Sequence, residues 1–386
     1  MAEPHTAGAK SAAGGRRTRP PFRADHVGSL LRPRGLLQAR EEFAAGRLAA
    51  EDLHALEDDA IRDVVKMQRD VGLQSATDGE FRRASWHMDF IYQLGGIEKV
   101  DGDIKVRFRN AEGEIDFTPA AIAVTDRVRL DHPIFAQDFE FLKGLVDESV
   151  TPKLTVPSPN MVHYRGGRAA LDPSVYPDVE QFWSDLSGAY ADQVRAIAEL
   201  GCTYLQFDDT SLAYLNDPHQ REAMEDRGED SAHLHETYVS NINSALAGRP
   251  EGLAITTHLC RGNFRSSWAA EGGYDFVAEA LFGGLDVDGF FLEYDDARSG
   301  GFEPLRFVAP GKIVVLGLVT SKRGELESKD ELKRRIEEAS QFVPVEQLCL
   351  SPQCGFSSTV EGNAVTYEEQ VAKLELIVET AAEVWG

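Results

Sequence analysis

The chain has 386 residues, 42% of them hydrophobic, and a formal net charge of -24. That apolar content supplies a large core and excludes global disorder. The acidic balance excludes general nucleic-acid binding, which needs basic surface against phosphates, although a local arginine pocket for a small anion remains compatible with it. No stretch approaches the roughly 20 apolar residues of a membrane-spanning helix. Four cysteines in so long a chain do not make a disulfide scaffold; they read as core residues, ligands or nucleophiles.

In chain order, residues 1–20 are rich in Ala, Gly and Arg and lack the apolar core of a secretory signal. They are expected to be a disordered tail on a cytoplasmic protein, with residues 21–386 forming one catalytic unit. Beyond the tail, short β-rich runs alternate with helical patterns. The candidate strands are 22–27, 74–78, 153–156, 204–208, 253–258, 289–293, 312–318 and 348–351. Several are continuous apolar runs, such as Ile313-Val314-Val315-Leu316, the signature of parallel strands buried on both faces. Helical spacing is clear over 51–72 and over 178–200, the latter closed by Gly201 as a C′ glycine. Ser328 and Glu331 predict a capping box for a helix reaching residue 342. Residues 366–385 close the chain as a helix. About eight strand–helix units predict a (β/α)8 barrel. Residues 96–129 break the pattern: they are β-like, with turn signals at Asp101-Gly102 and Glu112-Gly113. They are read as a hairpin insertion after the second strand, serving as a lid, an oligomer contact or plain structural decoration.

A barrel of this kind carries its chemistry just after the C-terminal ends of its strands, and the polar residues fall there. In Thr257-His258-Leu259-Cys260-Arg261-Gly262-Asn263, the histidine and cysteine are two apart. In extended chain they share a face and can address one ion. Glu293 ends the next strand and Cys354 follows the last. Together they offer a tetrahedral N/S/S/O set, whose soft thiolates favour zinc over magnesium or calcium. Taken alone, an H-x-C pair is weak, since cysteine is often a small buried hydrophobe. Cys202 and Cys349 read that way.

Residues 257–263, 289–298, 314–322 and 348–358 resemble the catalytic half of cobalamin-independent methionine synthase. They look closer still to its short single-barrel relatives, among them uncharacterised MetE-like proteins and epoxyalkane:coenzyme M transferase. The resemblance runs from about His26 to the C-terminus. It implies a single barrel of the uroporphyrinogen decarboxylase/methionine synthase-like type, with one zinc ion per chain on His258, Cys260, Glu293 and Cys354. It also implies substrate contacts from Gly28-Ser29, which match the turn that meets the amino-acid carboxylate. Glu80 in Asp78-Gly79-Glu80, and Asp208 with Asp209, match the acids that hold the homocysteine ammonium. The large N-terminal half of the full-length enzyme has no counterpart here. Extra basic residues, Arg82, Arg83, His87, Arg261, Arg265 and Lys322, are candidates for an anionic group, and Trp86 and Trp268 for stacking on a flat donor.

The expected reaction is methyl transfer from methyltetrahydrofolate or a methylcorrinoid to a small thiol, homocysteine first, giving methionine. The substrate sulfur would displace Glu293 or a water, and His163 or His87 would protonate the leaving group. A corrinoid protein as donor and a homo-oligomer are the partner classes left open. The alternative is epoxide or alkyl opening by a thiol such as coenzyme M, which a converging arginine rim would favour. A metal-free decarboxylase on the same scaffold, or a purely structural zinc site, fits the four-ligand set less well.

Overall fold

The computed structural model describes residues 15–101, 106–110, 113–117 and 121–386. The expected tail therefore lies mostly outside the described residues. The strands in chain order are β1 (Ser75–Ala76), β2 (Gly95–Val100), β3 (Val106–Asn110), β4 (Gly113–Phe117), β5 (Ala121–Arg129) and β6 (Thr151–Pro152). They continue as β7 (Leu154–Pro157), β8 (Tyr204–Asp209), β9 (Ala254–Leu259), β10 (Gly289–Glu293), β11 (Ile313–Val319) and β12 (Leu348–Pro352).

Six of these form one parallel sheet in the order β12-β11-β10-β9-β8-β7. Every residue of β8, β10, β11 and β12 is buried, as expected of strands covered by helices on one face and by side chains on the other. β1 pairs in parallel with β6, immediately before β7. Residues 22–27, expected to be a full strand, make a single parallel bridge at Ala24–Leu350. Asp25 N donates to Leu350 O at 3.0 Å and Leu350 N to Arg23 O at 2.8 Å. Side chains replace the missing backbone ladder on the other edge, where Thr77 Oγ1 donates to Gly28 O at 2.6 Å. The fold is thus a parallel α/β domain.

The helices follow the predicted apolar spacing. Ala50–Asp70 buries Ile61, Val64, Val65 and Met67. Asp178 caps Val179–Glu199 through Glu180 N, and Gly201 follows at φ +94°. Thr366 and Glu369 form a reciprocal capping box on Tyr367–Trp385. The box expected at Ser328 does not form: the helix is shorter, Lys329–Ala339, and Ser328 makes no side-chain cap. Glu331 is drawn instead to Arg334 at 2.6 Å. Within 96–129, β2 pairs antiparallel with β5 and β3 with β4. Among the described residues, no helix is long and apolar enough to cross a membrane.

A fully buried ion pair sits under the sheet. Lys153 Nζ lies 3.6 Å from Asp25 Oδ1, with both side chains 0% exposed. The ammonium also stands 4.1 Å from the Phe291 ring. Asp25 accepts from Tyr204 OH at 2.9 Å, Ser75 Oγ at 3.0 Å and Phe22 N at 3.0 Å. Desolvation makes such a pair expensive to build and more expensive to break, because the survivor is left charged and unpaired. Asp25→Ala is therefore expected to destabilise the protein by about 3–5 kcal/mol, and Asp25→Asn combined with Lys153→Met to recover part of that loss, both read by urea unfolding.

Candidate metal centre and cavity

Parallel registry places the chemistry at one rim. Asp208 on β8 pairs with His258 on β9, and His258 with Phe291 on β10. Cys260 follows directly after β9 and is held by its N–H to Asp209 O at 2.8 Å. Glu293 ends β10, and Cys354 lies two residues beyond β12. One ligand atom from each of His258, Cys260, Glu293 and Cys354 lies within 4.8 Å of the others, and all four residues are buried.

The approach of the Cys354 loop depends on Gly355. A Cβ there would collide with Ser29 Oγ. Its carbonyl accepts from Asn263 Nδ2 at 2.9 Å and from Ser321 Oγ at 3.0 Å, and the next N–H, of Phe356, donates to Ser29 O at 2.9 Å. Loops from four places in the chain are thereby tied at one point.

The donor set fits a metal ion. Among the described residues, neither ring nitrogen of His258 finds a hydrogen bond of ordinary geometry, a costly state for a buried polar group without a ligand. The Cys260 and Cys354 sulfurs are 3.5 Å apart. Their contact pulls the Cys354 thiol well below the ordinary range and pushes Cys260 well above it, so the pair shares one negative charge readily. Burial pushes the Glu293 carboxyl up, against the pull of Lys322, and its Oε1 accepts the Arg261 N–H at 3.0 Å.

His258, Cys260 and Cys354 face a cavity of about 300 Å³, whose walls also carry Ser29, Glu80, Asp208 and His87. Glu80 adopts φ +62° after Gly79 at +68°, a turn held by Arg32, whose guanidinium donates to Glu80 O at 2.7 Å and Arg83 O at 2.9 Å. Its carboxylate accepts from Thr155 Oγ1 at 2.8 Å. Asp208 Oδ1 accepts from Gln206 Nε2 at 2.7 Å. Burial, with Glu80 reinforcing it, pushes the Asp208 carboxyl up to about 7, against His258, and burial likewise raises Glu80. Two buried carboxyls stand on one cavity wall, Glu80 with Arg83 Nη1 3.5 Å away, and a cationic ligand would stabilise their charged forms further.

Other expected site residues are placed elsewhere. Asp209 spends its carboxylate on Ser158 Oγ, Ser211 Oγ and Leu212 N and is not on the cavity wall. Arg261 is buried behind it, donating to Glu293 O at 2.9 Å and Tyr274 OH at 3.1 Å. His163 contacts Tyr238 OH at 3.0 Å and Glu229 at 3.4 Å. The basic residues do not converge: Arg82 pairs with Asp58 and Asp138, Arg83 with Glu80 at 3.5 Å, Lys322 with Asp295 at 3.0 Å, and Arg265 is exposed. Among the described residues lining the cavity, none is Arg or Lys. Trp86 lines it, whereas Trp268 lies under Arg298 at 3.9 Å. The aromatic wall of Phe108, Tyr214 and Phe264 was not expected. Phe108 comes from β3, which docks by the Arg109–Trp268 backbone pair at 2.7 and 2.9 Å, a contact with no local sequence signal.

Residues 24–383 match the family model described as cobalamin-independent synthase, catalytic domain. The chain is 47% identical over 380 residues to the uncharacterized protein YxjG of Bacillus subtilis, covering 96% of each. It is 40% identical to the structure of a putative vitamin-B12 independent methionine synthase from Listeria monocytogenes, at TM-score 0.77, covering 96% of this chain and 100% of that one. It also shares its fold with a B12-independent methionine synthase from Shewanella solved with selenomethionine, at TM-score 0.68 and 19% identity, covering 93% and 96% of the two chains.

Loss of one thiol should empty the centre without unfolding the protein. Cys354→Ser and Cys260→Ser are each expected to lower bound metal, measured by plasma mass spectrometry after dialysis, by roughly tenfold or more, the usual scale for removing one ligand or its support. Cys349→Ser, at a core thiol outside the cluster, is expected to retain it.

Proposed function

Because the chain belongs to the cobalamin-independent synthase catalytic-domain family, we propose that it transfers a methyl group to the sulfur of homocysteine, with one zinc ion held by His258, Cys260, Glu293 and Cys354. The observation that carries this reading is the presence, on one cavity, of a thiol-rich ligand cluster and a buried carboxyl pair. Two thiolates, an imidazole and a carboxylate are a zinc donor set. Zinc bound there would keep a substrate thiol, whose ordinary pKa is about 8.5, deprotonated at neutral pH.

The chain's own residues do the rest. Glu80 and Asp208 take the substrate ammonium, with Thr155 and Gln206 orienting their oxygens. Ser29, at the Gly28-Ser29 turn, meets the carboxylate. Trp86, Phe108 and Phe264 form an apolar wall that excludes water from the reacting carbon. The methyl donor is methyltetrahydrofolate or a methylcorrinoid, the latter carried by a partner protein. In this reading the pairings of Ala24 with Leu350 and of Thr77 with Gly28 close the strands into a (β/α)8 barrel, with 96–129 inserted after the second strand. A sulfonate-bearing thiol such as coenzyme M finds two carboxyls where it needs a cation, so the alkyltransferase alternative has less support.

Calorimetric titration of the zinc-loaded protein tests this directly. Homocysteine is expected to bind and coenzyme M to bind far more weakly; the reverse order would overturn the assignment. Glu80→Gln and Asp208→Asn are each expected to weaken homocysteine on the order of 10²-fold while leaving metal content unchanged.

A further inference from the structure

Two loops far apart in sequence supply much of the cavity wall. The turn after β1 brings Glu80 and Ser85, and the segment after β12 brings Cys354, Ser358 and Thr359. We propose that Arg32 is the positioning residue that fixes these two loops against each other, and that the hold of the cavity on the homocysteine ammonium depends on it through Glu80. The second half of this assignment rests on the methyl-transfer reading.

The buried guanidinium of Arg32 donates in both directions. Nη2 meets Glu80 O at 2.7 Å and Arg83 O at 2.9 Å. Nη1 meets Ser357 Oγ at 2.9 Å, Ser357 O at 3.2 Å and Thr359 O at 3.3 Å. A planar fork makes this possible, because its donors leave in fixed, diverging directions, whereas an ammonium is a single point of charge. Burial lowers the group to about 10, so it is a cation at neutral pH and its hydrogen bonds are charge-assisted. The Leu31 N–H donates to Gln370 Oε1 at 2.8 Å, and Pro33 keeps Arg32 out of the helix that starts at Arg34.

The first loop needs such support. Gly79 and Glu80 are two successive left-handed residues, at φ +68° and +62°. The second carries a Cβ, which makes that conformation unfavourable unless neighbours hold it. Arg32 takes the carbonyl of that residue, while Asp78 Oδ1 accepts its N–H at 2.9 Å. With the backbone set, Thr155 Oγ1 orients the carboxylate at 2.8 Å. On the second loop, the two carbonyls that Arg32 takes flank Ser358, whose Oγ lies 3.6 Å from Cys354 Sγ. A backbone bridge between Ser85 and Thr359 closes the same seam. Arg40 provides the contrast: among the described residues its bonds run to Phe81 O on the first loop and to Glu57.

The test uses the zinc-loaded protein and two readouts. By hydrogen exchange, Arg32→Lys is expected to speed the amides of 79–85 and 354–361 together, and Arg40→Lys those of 79–85 alone. By calorimetry, Arg32→Lys is expected to weaken homocysteine by roughly tenfold or more, the usual scale for removing a supporting residue. Ser357→Ala, a milder change that leaves the guanidinium in place, should show the same effects by smaller factors, and it carries both readouts if Arg32→Lys does not fold. Groups in one network couple and separate ones add. Most of the Arg32→Lys factor should therefore vanish in a Glu80→Gln background and persist in Asp208→Asn. Bound zinc should stay at the parent level, because the Cys354 loop is tied separately at Gly355. Faster exchange in one loop only, equal factors in both backgrounds, or a loss of affinity that follows a loss of zinc would each overturn the role of Arg32 and leave thiol methylation standing. If the parent binds no homocysteine, the function and the affinity half of this assignment fall, and the exchange of the two loops alone decides whether Arg32 joins them.

Discussion

The rest of the site depends on the crossing at Gly355. The Cys354 loop can reach the cluster only by passing against Ser29 with no side chain between them. The Gly355 carbonyl then accepts from Asn263, three residues past Cys260, and from Ser321, beyond β11. One small residue therefore couples the His/Cys cluster from two strand ends to the Gly28-Ser29 turn on the cavity wall. Parallel registry supplies the rest of the alignment, since it brings the carboxyl ends of neighbouring strands to one rim. The cluster is aligned by the register of the sheet rather than by the shortness of its loops.

Burial explains the electrostatics better than net charge does. The protein carries a large negative charge, but the cavity is governed by a few desolvated groups. Glu80 and Asp208 are pushed up by desolvation, Glu80 against the pull of Arg83 and Asp208 with Glu80 adding to it. The nearby arginines are engaged in structure: Arg32 staples the Glu80 turn and Arg261 braces the backbone of Glu293. Cations that looked available on paper are committed to holding carboxylates and carbonyls in place. The pocket therefore presents two desolvated carboxyls, Glu80 already 3.5 Å from Arg83 Nη1, with the His/Cys cluster alongside and an aromatic wall.

Local pattern carried far in this chain. The apolar runs of β8 to β12 and the helix over 51–72 were visible because burial on both faces, and on one face, leaves different periods. The grouping of His258, Cys260, Glu293 and Cys354 at one rim was legible because each sits at a strand end beside a turn. The failures have physical reasons. Asp209 follows Asp208 on the strand, so its side chain points to the opposite face and is consumed by a helix start. Glu331 had two partners within reach and took Arg334 over Ser328. Phe108 reached the cavity through backbone pairing with a loop about 160 residues away, a contact no spacing rule anticipates.

What the sequence by itself determined is the alternation of elements and the placement of His258, Cys260, Glu293 and Cys354 after particular strands, because these follow from local periodicity. Only the tertiary structure decided which acids share a cavity, which histidine faces it and which arginines are already spent. Those outcomes depend on competition among partners brought together by the sheet, and a partner's distance is not encoded in the spacing of its neighbours along the chain.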